Sequence, residues 1–432
     1  MKRTIRNICL IIVASLVCSL AGAPPAAGRV YFDINAPELR KVPMAVPYFV
    51  NSKQPGTVDD AGRKMAAVLS KGLDFHGFIS ILPPGSYGGM QSADWQALGV
   101  DFAVLGQYYF TGKEMVVELR LFNVIEGQMI LGKRYRGAPE RQSAMVLKFC
   151  DEVIFQLTGE SGVCLSKIAF VSDTSGYKEV YVADVLGENV RQVTRHKNLT
   201  VSPRFSPDGR QLAYTSYHPG EPHLYVTDLA QNKSTKAISR RRGLNLGPAW
   251  SPDGKTMIIT LSTDGNPDLY LINTKGDILR RLTANAGINV SASWSPDGRQ
   301  IAFVSDRSGN PQVYIMDLRT GRINRITYLG NDNTEPSWSP KGDWIAYAGL
   351  YEGEYQIFKI RPEGGSPVRV TTTAGNHESP NWSPDGRQIV FTRQLNKELK
   401  INAIFANGFG MRPLFNVKGN QSSPQWSSRL DL

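Results

Sequence analysis

The fold of this chain is decided by the stretch Trp294-Ser-Pro-Asp-Gly298, which returns at nearly equal intervals through the second half of the sequence. The aromatic residue that opens each copy stands at positions 205, 250, 294, 338, 382 and 426, so one step of 45 residues is followed by four steps of 44. A period of about 40 to 50 residues that contains several short strands is typical of a β-propeller. The copies are Phe205–Gly209, Trp250–Gly254, Trp294–Gly298, Trp338–Gly342, Trp382–Gly386 and the shortened Trp426–Ser428.

Each repeat predicts four short strands arranged around this turn. Proline fixes φ at the second turn position, aspartate is tolerated at the third, and glycine takes the fourth without a steric clash. An apolar run such as Ile301–Val304 follows each turn, and two further runs bounded by Gly, Asn or Asp come after it. A repeat is therefore an inner strand that ends at the aromatic residue, then the turn, an apolar strand, an aromatic strand and a polar outer strand.

The first and the last repeats are incomplete in complementary ways. The run Ile168–Asp173 opens the array without an inner strand before it, whereas Ser423–Trp426 is an inner strand with only six residues after it. We expect the C-terminal strand to complete the first blade, because closure leaves no exposed sheet edge. The sequence thus predicts six four-stranded blades over residues 163–432, with the repeated tryptophans packed between blades.

The first 28 residues have the pattern of a secretory signal peptide. Three basic residues, Lys2, Arg3 and Arg6, precede an apolar stretch from Ile8 to Leu20 that is too short to remain as a membrane helix. Cleavage after Gly28 is favoured over cleavage after Ala23, which would leave a proline first. We therefore expect an exported, soluble protein with no direct membrane insertion.

The net charge of the chain excludes few classes of function. Removal of residues 1–28 takes away three positive charges and no acidic residue, so the formal net charge falls from +11 to +8. A basic exported protein can attract acidic partners or envelope polymers, but the charge is dispersed, which favours an ordinary solvated surface. The one dense cluster is Arg240–Arg242, and no interleaved aromatic residues or known modules indicate binding to nucleic acid.

Residues 29–162 follow a different pattern and predict a small α/β domain with its own core. One helix is expected to open at a capping box, Thr57–Asp60, and to stop at Gly72, and a second is expected to run from Pro139 to Gly159. The expected extended segments and strands are Arg29–Ile34, Val42–Pro47, Val100–Leu105, Met115–Leu121 and Met129–Tyr135.

Two cysteines of the mature chain, Cys150 and Cys164, flank the join between the domains. In an oxidising compartment they could form a disulfide, which would contribute roughly 3 kcal/mol in the chain-entropy description. The other interpretation is a pair of buried free thiols. The sequence leaves both open, because it does not supply the geometry that a disulfide needs.

The sequence contains few residues that indicate chemistry. Its five histidines form no metal-ligand pattern, and there is no nucleophile elbow, no phosphate-binding loop and no dinucleotide fingerprint. We therefore expect a binding scaffold rather than an enzyme, with no catalytic residues, no metal and no cofactor.

One polar position recurs five residues before the aromatic residue of the repeat. Since these positions begin the inner strands, we expect them to ring one mouth of the central channel, with Thr334, Glu335 and Glu378 as neighbours. Local capping of turns by the asparagine side chains is the alternative. A ring of this kind predicts a polar interface for a protein loop, and its members are Asn245, Asn289, Asn333, His377 and Gln421.

Taken together, these residues resemble the TolB family, the periplasmic propellers of the Tol-Pal envelope system. The resemblance is carried by the repeated turns and by the domain join, where Asp151–Ile154 and Leu157–Glu160 precede Lys167–Asp173. It implies a non-enzymatic, monomeric protein of the periplasm. Proteins of this family bind the peptidoglycan-associated lipoprotein Pal through one propeller face and the inner-membrane protein TolA through the mature N-terminal segment, and they support outer-membrane integrity and constriction at cell division.

Carried over to this chain, the resemblance implies two binding regions. A TolA-like partner would bind the N-terminal segment, which comprises Arg29, Val30, Tyr31, Phe32, Asp33 and Ile34. A Pal-like lipoprotein would bind the channel mouth, which comprises Asn245, Asn289, Asn333, Thr334, Glu335, His377, Glu378 and Gln421.

Two positions depart from the repeat, Ala292 in place of proline and Lys341 in place of aspartate. Neither substitution is expected to prevent its blade from folding. The alternative function is a periplasmic hydrolase or lyase that acts on glycan or peptide in the channel. That function predicts a deep pocket in which carboxylates converge and have perturbed pKa values.

Overall fold

A computed structural model describes residues 41–54, 58–230, 235–284 and 286–430. The predicted signal peptide, residues 1–28, and the predicted N-terminal binding segment, residues 29–34, lie outside the described residues. Across the described ranges, no helix combines the length and the apolar character that a membrane crossing needs.

The N-terminal domain is a mixed sheet with two helices packed on one face. Its strands are ordered β3-β1-β4-β5-β6, with β2 beside β4; β4, β5 and β6 form an antiparallel meander that β1 and β2 join in parallel. The elements are β1 (Val42–Ala45), β2 (Val50–Asn51), α1 (Asp60–Phe75), β3 (Ile79–Leu82), β4 (Phe102–Thr111), β5 (Glu114–Asn123), β6 (Gln128–Gly137) and α2 (Gln142–Thr158), with short 3-10 turns at Pro84–Ser86 and Pro139–Arg141.

Helix α1 differs from the sequence prediction at both ends. Its N-cap is Asp59, whose carboxylate accepts a hydrogen bond from Gly62 N, so the helix opens inside the predicted capping box rather than at Thr57. It continues past Gly72 to Phe75, because Gly72 is an interior position that packs against neighbouring side chains. Helix α2 ends as predicted at Gly159, which has a φ of 75° and caps the helix in the left-handed conformation.

The rest of the described chain forms six four-stranded blades. Blade 1 contains β7 (Lys167–Ser172), β8 (Glu179–Asp184), β9 (Arg191–Gln192) and, from the C-terminus, β30 (Gln421–Trp426); blade 2 contains β10 (Thr200–Phe205), β11 (Gln211–Ser216), β12 (His223–Asp228) and β13 (Thr235–Ser239); blade 3 contains β14 (Asn245–Trp250), β15 (Thr256–Leu261), β16 (Asp268–Asn273) and β17 (Ile278–Arg281); blade 4 contains β18 (Asn289–Trp294), β19 (Gln300–Ser305), β20 (Gln312–Asp317) and β21 (Ile323–Arg325); blade 5 contains β22 (Asn333–Trp338), β23 (Ile345–Tyr351), β24 (Glu354–Ile360) and β25 (Val368–Arg369); blade 6 contains β26 (Asn376–Trp382), β27 (Gln388–Leu395), β28 (Glu398–Phe405) and β29 (Arg412–Pro413).

The predicted closure of the propeller by the C-terminal strand is confirmed. Strand β30 pairs antiparallel with β7, with Gln421 opposite Ser172 and Trp426 opposite Ile168. Trp426 is 3% exposed, and its indole N–H donates to Ser166 Oγ over 2.6 Å. The two ends of the propeller are therefore joined within one blade.

The repeated turn works through its serine and aspartate. In blade 2, Ser206 Oγ donates to Asp208 Oδ1 at 2.5 Å, and Ser206 Oγ accepts from Gln211 N at 2.9 Å, which starts the next strand. The tryptophans join neighbouring blades, since Trp294 Nε1 donates to Ala249 O of the preceding blade over 3.0 Å. The bond between blades recurs at Trp250 and Trp382, whereas Trp338 Nε1 donates to Gly342 O of its own turn.

The antiparallel order of the strands defines two faces of the disc. All the Ser-Pro turns lie at one face, which we call the turn face. The loops that precede the inner strands and the loops between the second and third strands lie at the other, which we call the mouth face. Every inner strand runs from the mouth face to the turn face along the central channel.

Candidate functional site

The five polar side chains predicted to line the channel mouth are buried. Their exposed fractions are 0 or 1%, and the equivalent residue of blade 2, Thr200, is also fully buried. The prediction that these side chains form the contact surface themselves is therefore corrected, because a side chain without exposed area offers nothing to a partner. The residues concerned are Asn245, Asn289, Asn333, His377 and Gln421.

The three asparagines of the buried ring each join their blade to the preceding one through hydrogen bonds. Asn289 Nδ2 donates to Asp268 Oδ1 at 2.9 Å and to Gly287 O at 3.1 Å, and Thr283 Oγ1 donates to the same Asp268 oxygen at 2.7 Å. Blade 5 repeats this pattern, with Asn333 bonded to Gln312 and to Leu329 O. Buried polar groups need such partners, so the ring caps the loops in front of the inner strands and holds them in place.

Three other predicted residues, Thr334, Glu335 and Glu378, are partly exposed at the mouth. Glu335 lies in a bulge of β22 with a φ of 52°, a conformation that is strained for glutamate. Its carboxylate accepts hydrogen bonds from Ser379 N at 2.6 Å and from Ser379 Oγ at 2.9 Å in the next blade. The equivalent bulge positions of the other blades also have positive φ and carry small residues, namely Ser202, Gly247, Ser291, Ser379 and Ser423.

The central channel has a volume of about 520 Å³ and is lined by the inner strands of all six blades, by the Ser-Pro turns of five blades and by Ser427 and Ser428 of blade 1. Arg204 of blade 2 and Glu335 of blade 5 both line the channel. Burial lowers the pKa of the Arg204 guanidinium, and the charge of Glu335 acts in the opposite direction. Burial raises the pKa of Glu378, and repulsion from Glu335 raises it further. The mouth end of the channel thus presents the carboxylates of Glu335 and Glu378, whereas Arg204 belongs to the turn-face end of β10.

The mouth face also carries exposed apolar side chains that sequence reasoning missed. They lie in its loops, where an apolar residue belongs to no periodic pattern, so only the high hydrophobicity of the loop sequence could have pointed to them. Exposed apolar groups of this kind commonly mark protein–protein contact sites. The exposed fractions are 49% for Tyr177, 47% for Ile288, 73% for Tyr328, 46% for Leu329 and 37% for Leu395.

The N-terminal domain covers part of the turn face. The guanidinium of Arg412 lies between the rings of Phe75 and Phe405, at 4.9 and 5.1 Å from their centroids. Arg412 Nη2 also donates to Phe75 O at 3.2 Å and to Gln388 Oε1 at 2.6 Å. This contact fixes the end of α1 against blade 6.

Lys341, the residue that departs from the turn motif, forms part of the same domain contact. Its Nζ lies 3.0 Å from Glu160 Oε1, and Arg387 Nη2 lies 3.0 Å from Glu160 Oε2. Partial burial acts to raise the pKa of Glu160, but the two cations outweigh it and hold that pKa below its ordinary value. In this turn Ser339 Oγ donates to Asp343 Oδ1 instead, at 3.0 Å, so the blade keeps its capping bond.

The segment between Gly159 and Lys167, which we call the linker, is held by buried groups of the N-terminal domain. Asp151 accepts from Cys164 N at 2.8 Å and from Leu165 N at 3.2 Å, while His76 Nε2 accepts from Val163 N at 3.2 Å. Burial lowers the pKa of His76 to about 4 and raises that of Asp151 to about 6. Cys150 and Cys164 are buried and not bonded to each other in this structure, and a disulfide between them stays a prediction.

Two protein-family descriptions match this chain. Residues 155–430 match the TolB beta propeller domain and residues 30–130 match the TolB amino-terminal domain. The chain belongs to the TolB family. The resemblance inferred from the sequence and the architecture expected from it are both confirmed, while the assignment of partner-binding residues stays a prediction.

Relatives and solved structures agree with this membership. The Tol-Pal system protein TolB of Desulfotalea psychrophila is 49% identical over 228 residues, which cover 53% of this chain and 52% of the relative. The protein of the same name from Desulfosudis oleivorans is 38% identical over 237 residues, covering 52% and 54%. The matches thus span about half the length of these relatives. The crystal structure of TolB from Acinetobacter baumannii, at 26% identity, covers 90% of this chain and 97% of its own, with a TM-score of 0.80.

Proposed function

We propose that this protein is a non-enzymatic interaction component of the Tol-Pal system in the periplasm. It binds a Pal-like peptidoglycan-associated lipoprotein at the mouth face and a TolA-like inner-membrane protein through residues 29–34. In this role it supports outer-membrane integrity and constriction at cell division. Membership of the TolB family supports the proposal, as do the names of relatives, which call them Tol-Pal system proteins.

The observation that carries the proposal is the unequal use of the two faces. The N-terminal domain covers part of the turn face through Arg412, Lys341 and Arg387. The mouth face has no such cover among the described residues, and it is the face with exposed Tyr328 and Leu329. A protein-sized partner therefore has open access to the mouth face, where tyrosine in particular is a frequent energetic anchor.

The buried ring prepares this face for binding. Because Asn289 and Asn333 fix the loops in front of their strands, the exposed residues of those loops do not have to be ordered when a partner arrives. Preorganisation of this kind increases affinity by lowering the entropy cost of association. The asparagines thus contribute to binding indirectly, by positioning Ile288, Tyr328 and Leu329.

A matched pair of substitutions tests the location of the site. Leu329 on the mouth face and Leu279 on the outer strand β17 have similar exposed fractions, 46% and 53%. We expect Leu329→Glu to weaken binding of the soluble domain of the Pal-like lipoprotein by about tenfold or more, and Leu279→Glu to leave it unchanged. Isothermal titration calorimetry measures both. Equal effects of the two substitutions would remove the mouth face from the proposal.

The N-terminal segment has a separate test. If the segment and the mouth face are coupled, deletion of residues 29–36 changes the affinity of the mouth face for the lipoprotein. The same titration measures that affinity. An unchanged affinity would contradict the coupling, and retained binding of a TolA-like protein by the deleted form would contradict the role of the segment.

The hydrolase or lyase alternative has one observation in its favour, the raised pKa of Glu378 beside Glu335 at the channel mouth. A raised carboxyl pKa is a common property of a general acid. Incubation with peptidoglycan fragments, followed by mass spectrometry, separates the two functions. Turnover by the natural protein that is lost in Glu378→Gln would favour the enzyme, whereas no turnover with retained lipoprotein binding would favour the interaction protein.

A further inference from the structure

The two cysteines meet at the point where the domains join. Cys150 lies on α2 and is fully buried, and Cys164 lies in the linker and is 2% exposed. Their sulfur atoms are 3.5 Å apart. A disulfide bond is about 2 Å long, so each sulfur would have to move by less than about 1 Å to form it.

The space around the sulfurs permits this movement. Gly72 of α1 lies directly against them: a Cβ added there would be 3.1 Å from Cys150 Sγ and 3.2 Å from Cys164 Sγ. Any larger residue at this position would push into the pair. The glycine that the sequence pattern suggested as a helix stop therefore makes room for the two sulfurs.

The hydrogen bonds of His76 argue against a metal ion at this place. His76 and the two cysteines are the one group of potential ligands found together in the described ranges, with ligand atoms within 4.8 Å of one another. Both ring nitrogens of His76 are engaged, however: Nδ1 lies 2.8 Å from Gly72 O, and Nε2 accepts from Val163 N at 3.2 Å. Neither nitrogen has a free lone pair for a metal, so the geometry favours a bond between the sulfurs.

The linker that carries Cys164 is the covalent connection between the domains, and the propeller also binds it. Arg429 donates to Ser161 O at 2.6 Å and to Gly162 O at 2.7 Å, and Trp426 donates to Ser166 Oγ. A bond from Cys164 to α2 would therefore fix the linker to the N-terminal domain at one point while Arg429 and Trp426 hold it to the propeller. The relative placement of the two domains would be constrained through these few residues.

We propose that Cys150 and Cys164 form an internal disulfide in the exported protein that locks the linker onto α2. The oxidant is a disulfide, either of a thiol–disulfide oxidoreductase or of oxidised glutathione. One thiolate attacks it to give a mixed disulfide, and the second thiolate then displaces the leaving sulfur. Both cysteines lose their hydrogen atoms, and the oxidant is reduced to two thiols.

The burial of the pair determines when the bond forms. Burial raises the pKa of both thiols, and Cys164 lies well above its ordinary value. The reactive thiolate is therefore scarce in the packed protein, and oxidation takes place while α2 and the linker are still open during folding. Once packed, the bond is shielded from dissolved reductants in the same way.

Intact-mass spectrometry of the full mature chain, refolded from denaturant in a glutathione redox buffer, tests the proposal. We expect a mass lower by two hydrogen atoms than that of the reduced chain, no change on adding dithiothreitol to the native protein, and full reduction when denaturant is present. Two free thiols after oxidative refolding would overturn the proposal. So would two free thiols together with a retained metal ion, detected by native mass spectrometry with added Zn²⁺.

The lock itself has a second measurement. Reduction in mild denaturant, followed by return to native buffer with thiols blocked, should increase hydrogen exchange of residues 159–166 in the natural protein. The double variant Cys150→Ala/Cys164→Ala should already show the fast exchange and should not respond to reduction. If the natural protein and the double variant exchange equally slowly in this segment, the bond does not lock the linker. This proposal rests on the proposed export of the protein but not on its proposed partners, so absence of lipoprotein binding would leave it standing.

Discussion

The two faces of the propeller are built from the same repeat but are used differently. At the turn face, the Ser-Pro turns of blades 5 and 6 receive the N-terminal domain through Lys341 and Arg387. At the mouth face, the regular residues are buried as a hydrogen-bonded ring, and the irregular loop residues Tyr328 and Leu329 are exposed. Positions that repeat in all blades thus build the disc, whereas positions that break the repeat make its contacts.

This difference shows that a residue repeated in the blades serves the fold rather than binding. An asparagine that returns every 44 residues satisfies a requirement that every blade has, which here is to cap the loop in front of the inner strand. Glu335 interrupts a series of serine and glycine and lies in the channel. Lys341 interrupts a series of aspartates and binds the other domain. Departures from the repeat are therefore the better guide to function.

Removal of the closing strand should have the largest effect, because it damages both faces at once. A chain truncated after Asn420 lacks β30 and leaves the edge of β7 unpaired. We expect loss of the cooperative thermal transition of the propeller, followed by circular dichroism at strand wavelengths. A chain that lacks only residues 431–432 is the control and should melt like the full chain; a cooperative transition in both would show that closure is dispensable.

Asn289→Leu separates the scaffold of the mouth face from its surface. It deprives buried Asp268 of a donor and Arg307 of an acceptor, since Arg307 Nη2 donates to Asn289 Oδ1 over 2.8 Å. Leaving such groups unsatisfied should lower the free energy of unfolding by about 3 kcal/mol, measured by urea denaturation. The control Asn266→Leu, at an exposed position of blade 3, should change it by less than about 0.5 kcal/mol. Equal changes in the free energy of unfolding for the two variants would contradict the structural role of the buried ring.

Acidification should destabilise both faces through their buried histidines. Burial lowers the pKa of His76 near the turn face and of His377 at the mouth face, each to about 4. A histidine whose pKa is lowered on folding stabilises the folded protein fully at pH values above its unfolded-state pKa of about 6.5. This contribution is lost as the pH falls toward the folded-state pKa of about 4. At pH 5 each of the two histidines should lower the free energy of unfolding by on the order of 2 kcal/mol relative to pH 7.

The variants His76→Gln and His377→Gln isolate these contributions. Each should flatten the dependence of the free energy of unfolding on pH between 7 and 5, measured by urea denaturation at each pH. Asp151 acts in the opposite direction, because its raised pKa of about 6 favours the protonated folded form as the pH falls. An unchanged slope in either variant would show that its histidine is not held neutral.

Lys341→Asp should have the smallest effect on stability. The substitution restores the turn motif but removes one of the two cations bound to Glu160, in a pair whose side chains are 39% and 42% exposed. Solvent-exposed ion pairs contribute about 0 to 1 kcal/mol, and we expect a loss in this range, measured as a shift of the urea midpoint. Arg387→Ala, which removes the less exposed cation, is the comparison and should cost more; the reverse order would contradict the description of the domain contact.

The sequence predicted the fold because the residues that specify each blade lie close together in the chain. The turn chemistry of Ser-Pro-Asp-Gly, the spacing of the tryptophans and the predicted unpaired strand at Ser423–Trp426 were sufficient for six blades and their closure. The site was predicted less well. The order of residues on a strand does not tell which side of a bulge faces the channel, so Asn289 and Glu335 were both predicted to bind a partner, although Asn289 is buried and Glu335 lines the channel.

Contacts between distant parts of the chain were beyond sequence reasoning for a related reason. Arg412 and Phe75 are 337 positions apart, and nothing in the local pattern of either residue indicates the other. The same holds for Glu160 and Lys341, whose pairing follows from the placement of one domain on the other. The sequence did show Lys341 as an exception to the motif, and this exception was the one sign of a special role at that position.

Hydrogen–deuterium exchange of the full mature protein, with and without the soluble domain of the Pal-like lipoprotein, tests the use of the two faces most directly. We predict protection in the mouth-face segments at residues 286–290, 328–335 and 377–378, with exchange in the turns at 339–343 and 383–387 unchanged. Protection confined to those turns, or a lipoprotein that binds without protecting any of the three mouth-face segments, would contradict binding at the mouth face.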